Sequence, residues 1–263
     1  PKYNLLYEAF GWEIPEYIHV ERIMRDATHK LSKRDGDAYF GDFVEKGYYI
    51  PAILNYIALL GWAPKSEQEI FTLDELIKEF DIGGLSKSPA IFDPVKMTAI
   101  NAEWLRKLPH EEFKALALPY IRQTCKREDI DLDVLVKTLQ PRTELLSDIP
   151  EKVDFIDELR EYDNELFFNK KMKTSAETAL PALQEVLPVL ENISGENWNE
   201  ENIHAAVFAE IEKLGVKNGW VLLPMRAALS GKAMTPGGGI ELAAILGKND
   251  SIARIKKALE QLS

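Results

Sequence analysis

One short segment near the start of the chain has the residue types that bind phosphate groups. It reads Lys30-Leu31-Ser32-Lys33-Arg34. Two lysines three residues apart, with a hydroxyl between them, can neutralise a polyphosphate, and this matters most where negative charge develops as pyrophosphate leaves. Lysine suits this chemistry because its compact ammonium can follow a moving phosphate. The segment therefore indicates a nucleotide-binding loop. A solvated turn with a chance run of charge is the alternative interpretation.

The composition limits the classes of protein to which the chain can belong. Its 263 residues are 46% hydrophobic and 29% charged, which excludes a disordered or collagen-like chain. The net charge of −11 argues against a protein that holds nucleic acid through its overall field. The charge is unevenly spread, however, because residues 22–34 carry five bases and one acid, and residues 213–240 carry four bases and no acid. Residues 128–165, by contrast, carry 13 acids and four bases, so local basic patches stand in an acidic protein.

Cysteine content and apolar run length indicate where such a protein works. The one cysteine, Cys125, excludes a disulfide framework and predicts a reducing cytoplasm. The longest apolar runs, residues 50–62 and 240–246, fall short of the about 20 residues of a membrane span, so we expect no membrane partner. The first residues have neither the basic start nor the apolar core of a signal peptide. The chain starts at Pro1 and enters a helix at once, which predicts a fragment of a longer polypeptide.

Prolines and capping residues predict the elements that position these groups. Pro51 opens a helix that runs to Gly61, and Thr72 with Glu75 forms a capping box for the next one. From about residue 95 onward the pattern is helical. We expect a second capping box at 174–177, which opens a helix to about residue 191 that Pro188 bends or ends. The remaining helices are predicted at residues 101–107, 111–123, 133–139, 143–146, within 153–168, 200–214, 219–229, 241–246 and 250–262.

The change in pattern near residues 82–100 predicts a domain boundary. Residues 1–95 form one predicted domain and residues 96–263 an all-α domain, which divides further into 96–173 and 174–263. The chain as a whole is expected to be mainly α, with a short α/β portion first and a helical array after it.

Order and spacing of the motifs carry a family resemblance. Residues 30–34 resemble the KMSKS motif of class I aminoacyl-tRNA synthetases, with Leu31 in place of Met and Arg34 in place of the last Ser. What surrounds the motif is similar to bacterial-type glutamyl-tRNA synthetases, in the segments 33–37, 41–43, 45–48, 51–56, 59–62, 71–76, 86–93, 223–231, 235–237 and 246–248. The family's second nucleotide signature, His-x-Gly-His, and its zinc-binding cysteines are absent from the sequence. The chain therefore resembles the C-terminal part of such an enzyme, with the end of the catalytic fold, a stem-contact region and an anticodon-binding array.

This resemblance implies roles for the loop residues in ATP-dependent activation of glutamate. Lys33 contacts the phosphates of ATP, with Lys30 as its partner, and both are the expected catalytic residues. Leu31 anchors the loop, Ser32 donates a hydrogen bond, and Arg34 completes the ATP loop. The implied substrates are ATP, used with Mg²⁺, and glutamate, while no metal site and no zinc are expected in this chain. We expect the fragment alone to be inactive.

The resemblance also implies contacts with tRNA(Glu) in a monomeric, cytoplasmic enzyme. Lys87, between two serines, suits the tRNA backbone at the stem. Arg142 stands where a family arginine reads the last anticodon base, and Arg226 is expected to be structural or to contact the backbone. Residues 235–237, Thr235-Pro236-Gly237, match a loop that contacts anticodon bases, which are read when single-stranded and splayed apart.

Two other classes of function remain open on the sequence. The helical half can act as a non-catalytic tRNA- or RNA-binding module. It can also act as a helical scaffold that binds proteins, which predicts no affinity for tRNA. Retention of tRNA at low salt, lost at high salt, separates the two.

Overall fold

The computed structural model describes residues 2–32 and 39–263. Its helices are α1 Lys2–Ala9, α2 Phe40–Glu45, α3 Ile50–Gly61, α4 Leu73–Glu79, α5 Pro94–Lys107, α6 His110–Thr124, α7 Leu132–Leu139, α8 Ile149–Val153, α9 Ala176–Asn192, α10 Glu200–Leu214, α11 Asn218–Ser230, α12 Gly239–Leu246 and α13 Lys248–Leu262. The strands of the described residues are β1 Ile23–Met24 and β2 Ala90–Ile91, and the 3₁₀ turns are Ile82–Gly84, Gln140–Arg142, Leu146–Asp148, Asn164–Phe167 and Gly195–Asn197. The prediction of a mainly α chain with a small α/β portion is confirmed.

The chain folds into two compact units. The first comprises residues 1–42 and 50–97, and the second comprises residues 43–49 and 98–263. The predicted domain boundary at residue 95 stays a prediction.

The first unit is built on α3 and a parallel pair of strands. Ile23 of β1 pairs with Ala90 of β2. The Asn55 side chain of α3, fully buried, donates to the carbonyl of Glu69 at 2.9 Å and accepts from the N–H of Phe71 at 2.9 Å. These two bonds satisfy both ends of a buried amide and fix the segment that enters α4.

The capping box predicted for α4 is present. The Thr72 hydroxyl accepts from the N–H of Glu75 at 3.3 Å, and the Glu75 carboxylate accepts from the N–H of Thr72 at 2.7 Å. Two backbone donors at the helix start are thereby satisfied.

The second unit is an array of helices around one apolar core. Helix α9 packs against α10, α11 and α13, while α12 packs against α7, α10 and α11. The buried guanidinium of Arg254 on α13 ties this array together. It donates to the carbonyls of Phe155 and Leu229 at 2.8 Å and of Ile156 at 2.9 Å, and it pairs with Asp250 at 2.9 Å.

Two predicted elements of the second unit are wrong. Thr143 is not helical, because the chain forms two 3₁₀ turns on either side of residues 143–145. Residues 158–163 hold no helix either, and the Asn164–Phe167 turn is the one helical piece that follows α8 before α9. Helix α9 runs to Asn192, within one residue of the predicted end, so the exposed Pro188 does not end it. Val186 and Leu190, buried on either side of the proline, hold the helix on the core. Apolar burial here outweighs the hydrogen bond that proline removes.

The start of α9 also differs by one residue from the predicted capping box. Ser175, not Thr174, is the N-cap residue, and its N–H donates to the hydroxyl of Thr178 at 2.8 Å. Thr174 is buried instead, and its hydroxyl has no hydrogen-bond partner among the described residues.

Candidate nucleotide and RNA contact sites

Lys30 is tied to the small sheet of the first unit. It forms an antiparallel bridge with Met24, and the N–H of Leu31 donates to the carbonyl of Ile23 at 3.1 Å. The Lys30 side chain is exposed, while Leu31 and Ser32 are half-buried. The first two residues of the proposed ATP loop are therefore held by β1, and the predicted residues Lys33 and Arg34 lie outside the described residues.

A turn centred on Asp26 sets the path of the chain into Lys30. The Asp26 carboxylate accepts from the backbone N–H groups of Thr28 and His29, each at 2.9 Å, and lies 2.9 Å from Nδ1 of His29. The backbone N–H of Thr28 first, and then the His29 ring, hold the pKa of the Asp26 carboxyl below its usual value. The turn is thus fixed by an ionised carboxylate at neutral pH, a positioning element that the sequence reading did not identify.

Lys87 lies on a tight serine turn in the same unit. The Ser86 hydroxyl donates to the carbonyl of Ser88 at 2.9 Å, and the N–H of Ser86 donates to the carbonyl of Gly61 at 2.8 Å. Both serines serve the turn, and the exposed ammonium of Lys87 is left to face solvent. The ammonium of Lys87 is therefore available to a phosphate.

In the second unit, Arg142 and the loop at Gly237 meet at the same residue. Arg142 Nη1 donates to the carbonyl of Thr138 at 3.2 Å. A Cβ placed on Gly237 would lie 3.5 Å from Cγ2 of Thr138 and 2.8 Å from Cβ of Glu241. Two predicted tRNA-binding elements, almost a hundred residues apart in the chain, are thereby brought together at the C-terminal end of α7. The glycine serves close packing at this point, because Gly237 is buried.

The loop itself is closed by short hydrogen bonds. The Thr235 hydroxyl donates to the carbonyl of Gly237 at 2.7 Å, and the N–H of Gly238 donates to the Glu241 carboxylate at 2.9 Å. Pro236 is buried, whereas Met234, just before Thr235, is 84% exposed. The loop therefore presents an apolar side chain and a hydroxyl oxygen on a fixed backbone.

Arg226 on α11 adjoins the start of α12. A Cβ on Gly239 would lie 3.2 Å from the backbone nitrogen of Arg226 and 2.7 Å from Cβ of Met225. Only a glycine allows this approach of the two helices, which brings the start of α12 beside the backbone of Arg226. The Arg226 Nε is buried and has no hydrogen-bond partner in the described part of the chain, and burial lowers the pKa of this guanidinium. No carboxylate of the described residues forms an ion pair with it.

Lys152 is a residue of this region that the sequence reading missed. Its Nζ donates to the backbone carbonyl of Arg142 at 2.6 Å, which supports the 3₁₀ turn that carries Arg142. Lys152 also lines a groove of about 500 Å³, and Met234 is another of its lining residues. No periodicity marks such a contact, because it depends on how α8 lies beside the end of α7.

One cluster in the described residues has the donor types of a metal site. His110, Glu111 and Asp133 place one ligand atom each within 4.8 Å of one another. The Asp133 carboxylate already accepts from Lys114 Nζ at 2.6 Å, and that hydrogen bond and the one from His110 lower its pKa. The carboxylate is thus neutralised by a cation of the protein itself.

Comparison with known proteins identifies the second unit. Residues 112–259 match the family model described as "Anticodon binding domain", which is more than half of the chain. The chain belongs to this anticodon binding domain family. Residues 1–99, ahead of the anticodon binding domain, match the model described as "tRNA synthetases class I (E and Q), catalytic domain".

Several relatives of this anticodon binding domain chain carry the same name. A glutamate–tRNA ligase of Clostridium botulinum strain Eklund 17B is 52% identical over 262 residues, and one of Clostridium acetobutylicum is 53% identical. Both matches cover 100% of this chain and 54% of the relative, so the chain spans about half the length of the curated relatives it matches. The predicted resemblance to glutamyl-tRNA synthetases is confirmed.

Solved structures agree with the sequence relatives. The crystal structure of a glutamate tRNA ligase from Elizabethkingia meningosepticum, in complex with its amino acid, superposes with a TM-score of 0.81 at 29% identity. The match covers 98% of this chain and 54% of the Elizabethkingia meningosepticum chain. The crystal structure of a glutamate–tRNA synthetase from Elizabethkingia anophelis superposes with a TM-score of 0.76 at 28% identity. That match covers 97% of this chain and 53% of the Elizabethkingia anophelis chain. In the described residues of the anticodon binding domain chain, no helix is long and apolar enough to span a membrane.

Proposed function

We propose that this chain is the C-terminal part of a glutamate–tRNA ligase. Residues 96–263 bind the anticodon of tRNA(Glu). Residues 1–95 contact the stem through Lys87 and supply the loop of residues 30–34 to the ATP-dependent activation of glutamate. The names and coverage of the relatives support this assignment.

The observation that carries the RNA-binding proposal is the state of Arg226. A half-buried guanidinium has lost part of its hydration, and a protein normally compensates such a charge with a carboxylate. Within the described residues Arg226 has none, and residues 213–240 contain no acid at all. An RNA phosphate supplies the missing anion from outside, with a charge-assisted hydrogen bond to the guanidinium.

Arg142 and the loop at Gly237 suit the reading of unpaired bases. Single-stranded bases are recognised by hydrogen bonds to their edges and by contacts to their faces. The exposed guanidinium of Arg142 offers donors for a base edge, since a single bond to the carbonyl of Thr138 orients it. Met234 offers an apolar surface for a base face, and the Thr235 oxygen can accept a hydrogen bond.

The chemistry proposed for the ATP loop is electrostatic. When ATP is bound with Mg²⁺, the ammonium groups of Lys30 and Lys33 neutralise the charge that develops on the departing pyrophosphate. The turn at Asp26 and the bridge to Met24 hold the start of the loop in place. We expect the 263-residue chain by itself to bind tRNA without aminoacylating it.

Two measurements test these assignments. The affinity of the chain for a tRNA(Glu) transcript should fall linearly on a plot of log affinity against log salt concentration. No retention at low salt would favour the protein scaffold. In the full-length enzyme, Lys33→Ala should slow ATP–pyrophosphate exchange far more than it weakens tRNA binding. Lys87→Ala should weaken tRNA binding far more than it slows the exchange. Unchanged exchange in Lys33→Ala would refute the loop assignment.

Location and assembly complete the proposal. The unpaired, buried thiol of Cys125 supports a reducing cytoplasm. We propose that the protein is a monomer, and light scattering of the purified protein tests this directly.

A further inference from the structure

A short turn before α9, which we name the lysine turn (residues 168–174), carries an unexplained cluster of charge. Two backbone hydrogen bonds close it: the N–H of Asn169 donates to the carbonyl of Thr174 at 3.0 Å, and the N–H of Thr174 donates to the carbonyl of Asn169 at 3.1 Å. The Asn169 side chain also accepts from the N–H of Lys171 at 3.0 Å and of Met172 at 3.1 Å. The backbone is thus fixed although the turn lies on the surface.

Its side chains combine positive charge with exposed apolar surface. Lys170, Lys171 and Lys173 are all exposed, and in the part of the chain that the structure describes none of them forms an ion pair with a carboxylate. Phe168 is 66% exposed and Met172 is 44% exposed. In a chain of net charge −11, three such cations within four residues form a strong local field.

The lysine turn lies against the same helix face that carries Arg226. A Cβ on Gly219 would lie 2.5 Å from the sulfur of Met172, so the turn packs on the first turn of α11. Gly219 and Arg226 are seven residues apart, which places them on one face of α11 and about 10 Å apart along its axis. Lys217, exposed and also without an ion pair to any described residue, starts this helix. Positive charge therefore continues from Arg226 to the lysine turn.

We propose that the lysine turn is a second RNA-contact site, at which a tRNA strand that leaves Arg226 binds through its phosphates. This inference rests on the proposed tRNA-binding function. The three lysines and Lys217 contact backbone phosphates, and Phe168 stacks on a nucleotide base. Such contacts orient the RNA and are independent of its anticodon sequence. An RNA fits better than an acidic protein because the charge is continuous with a guanidinium that already needs an external anion.

The test compares two triple variants of the 263-residue chain that carry the same change in charge. Lys170→Ala/Lys171→Ala/Lys173→Gly removes the turn's cations. Glycine is chosen at position 173 because Lys173 has φ +57°, a region that glycine adopts without strain. The matched control is a triple alanine variant at three exposed lysines elsewhere, Lys78, Lys107 and Lys257.

The expected result is a change in the salt dependence of tRNA(Glu) binding. At about 0.7 per phosphate contact on a single strand, loss of three contacts lowers the slope of log affinity against log salt by about 2. This corresponds to a loss of roughly 10- to 100-fold in affinity at 0.1 M salt. The loss should be equal for transcripts with altered anticodons. Phe168→Ala should weaken binding by about fivefold or more, as expected for one stacked base.

Each other outcome has a definite meaning. A turn variant that binds with the slope of the control overturns the inference while tRNA binding itself stands. Wild-type chain that retains no tRNA overturns both the inference and the proposed function. Lysine-dependent binding to vesicles of anionic lipid, with tRNA binding unchanged, assigns the turn to a membrane surface and overturns the inference. If the triple variant fails to fold, Lys173→Gly alone should keep or raise Tm and still lower the slope by about 0.7.

Discussion

Replacement of Arg226 by methionine should have opposite effects on stability and on RNA binding. The Nε–H of Arg226 is buried without an acceptor among the residues that the structure describes. A buried donor left unsatisfied costs about 1–3 kcal/mol. Methionine keeps the apolar length of the side chain and removes the donor and the charge. The free energy of unfolding should therefore rise by about 1 kcal/mol or stay unchanged, while the affinity for tRNA falls.

Arg254 provides the matched comparison, because its guanidinium is also buried but fully partnered. It donates to three backbone carbonyls and pairs with Asp250. Arg254→Met leaves those carbonyls without their donor, at about 1 kcal/mol or more each. The free energy of unfolding should then fall by at least about 3 kcal/mol. The same substitution is made at both arginines, so the difference between the two changes in stability reports the effect of the hydrogen-bond partners that Arg226 lacks.

Urea unfolding of the three proteins measures these effects. The midpoint for Arg226→Met should equal or exceed that of the wild type, with an unchanged m-value, and Arg254→Met should unfold at a clearly lower concentration. A fall of more than about 1 kcal/mol in Arg226→Met would refute the reasoning, because it would mean that Arg226 supports the fold. Filter binding of tRNA to the same preparations completes the comparison.

Three further substitutions test separate parts of the structure. Gly239→Ala should lower the free energy of unfolding by about 1–3 kcal/mol, since the new Cβ would lie 2.7 Å from a side chain of α11. Thermal unfolding checks this beside Gly195→Ala, whose Cβ would meet no described atom within 4 Å. Burial raises the pKa of the Cys125 thiol from 9.0 to about 11, so above pH 9 the thiol ionises in the unfolded chain before it does so in the folded one. The free energy of unfolding of the wild type should therefore fall by up to roughly 3 kcal/mol as the pH rises from 9 through 11. Cys125→Ala should not show this loss. The same pH dependence of the free energy of unfolding in the variant and the wild type would contradict the prediction. Lys152→Ala removes the ammonium that supports the Arg142 carbonyl, so discrimination at the last anticodon base should fall severalfold in a binding assay, and unchanged discrimination would show that the contact is dispensable.

The sequence predicts best the elements that depend on local chemistry. Thr72 and Glu75 form the capping box that their spacing predicts, and Asn199 caps α10, which Gly215 ends in the left-handed conformation. Pro188 shows the limit of local rules, because its effect on α9 depends on how firmly the buried residues on either side hold the helix. That packing is a property of the folded array and leaves no local signal.

The candidate site divides in the same way. Motif resemblance marks Arg142, Arg226 and the loop at Gly237 separately, but their meeting at Thr138 and Gly239 follows from the packing of α7, α11 and α12. From the sequence alone Arg226 is an ordinary cation on a helix, and only the folded structure shows that its Nε is buried. The sequence analysis also misses the lysine turn, because residues 161–177 contain four acids and three lysines, so a window of this length shows no excess of positive charge.

The most direct test of the account is a double-mutant cycle between Arg142 and the last anticodon base. Affinities of the wild-type chain and of Arg142→Ala are measured for tRNA(Glu) transcripts with the native or a changed last base. The wild type should prefer the native base by about 1–3 kcal/mol, the value of a side chain reading one base edge, and Arg142→Ala should bind both transcripts equally. A preference that persists undiminished in Arg142→Ala would contradict the assignment of this surface to anticodon recognition.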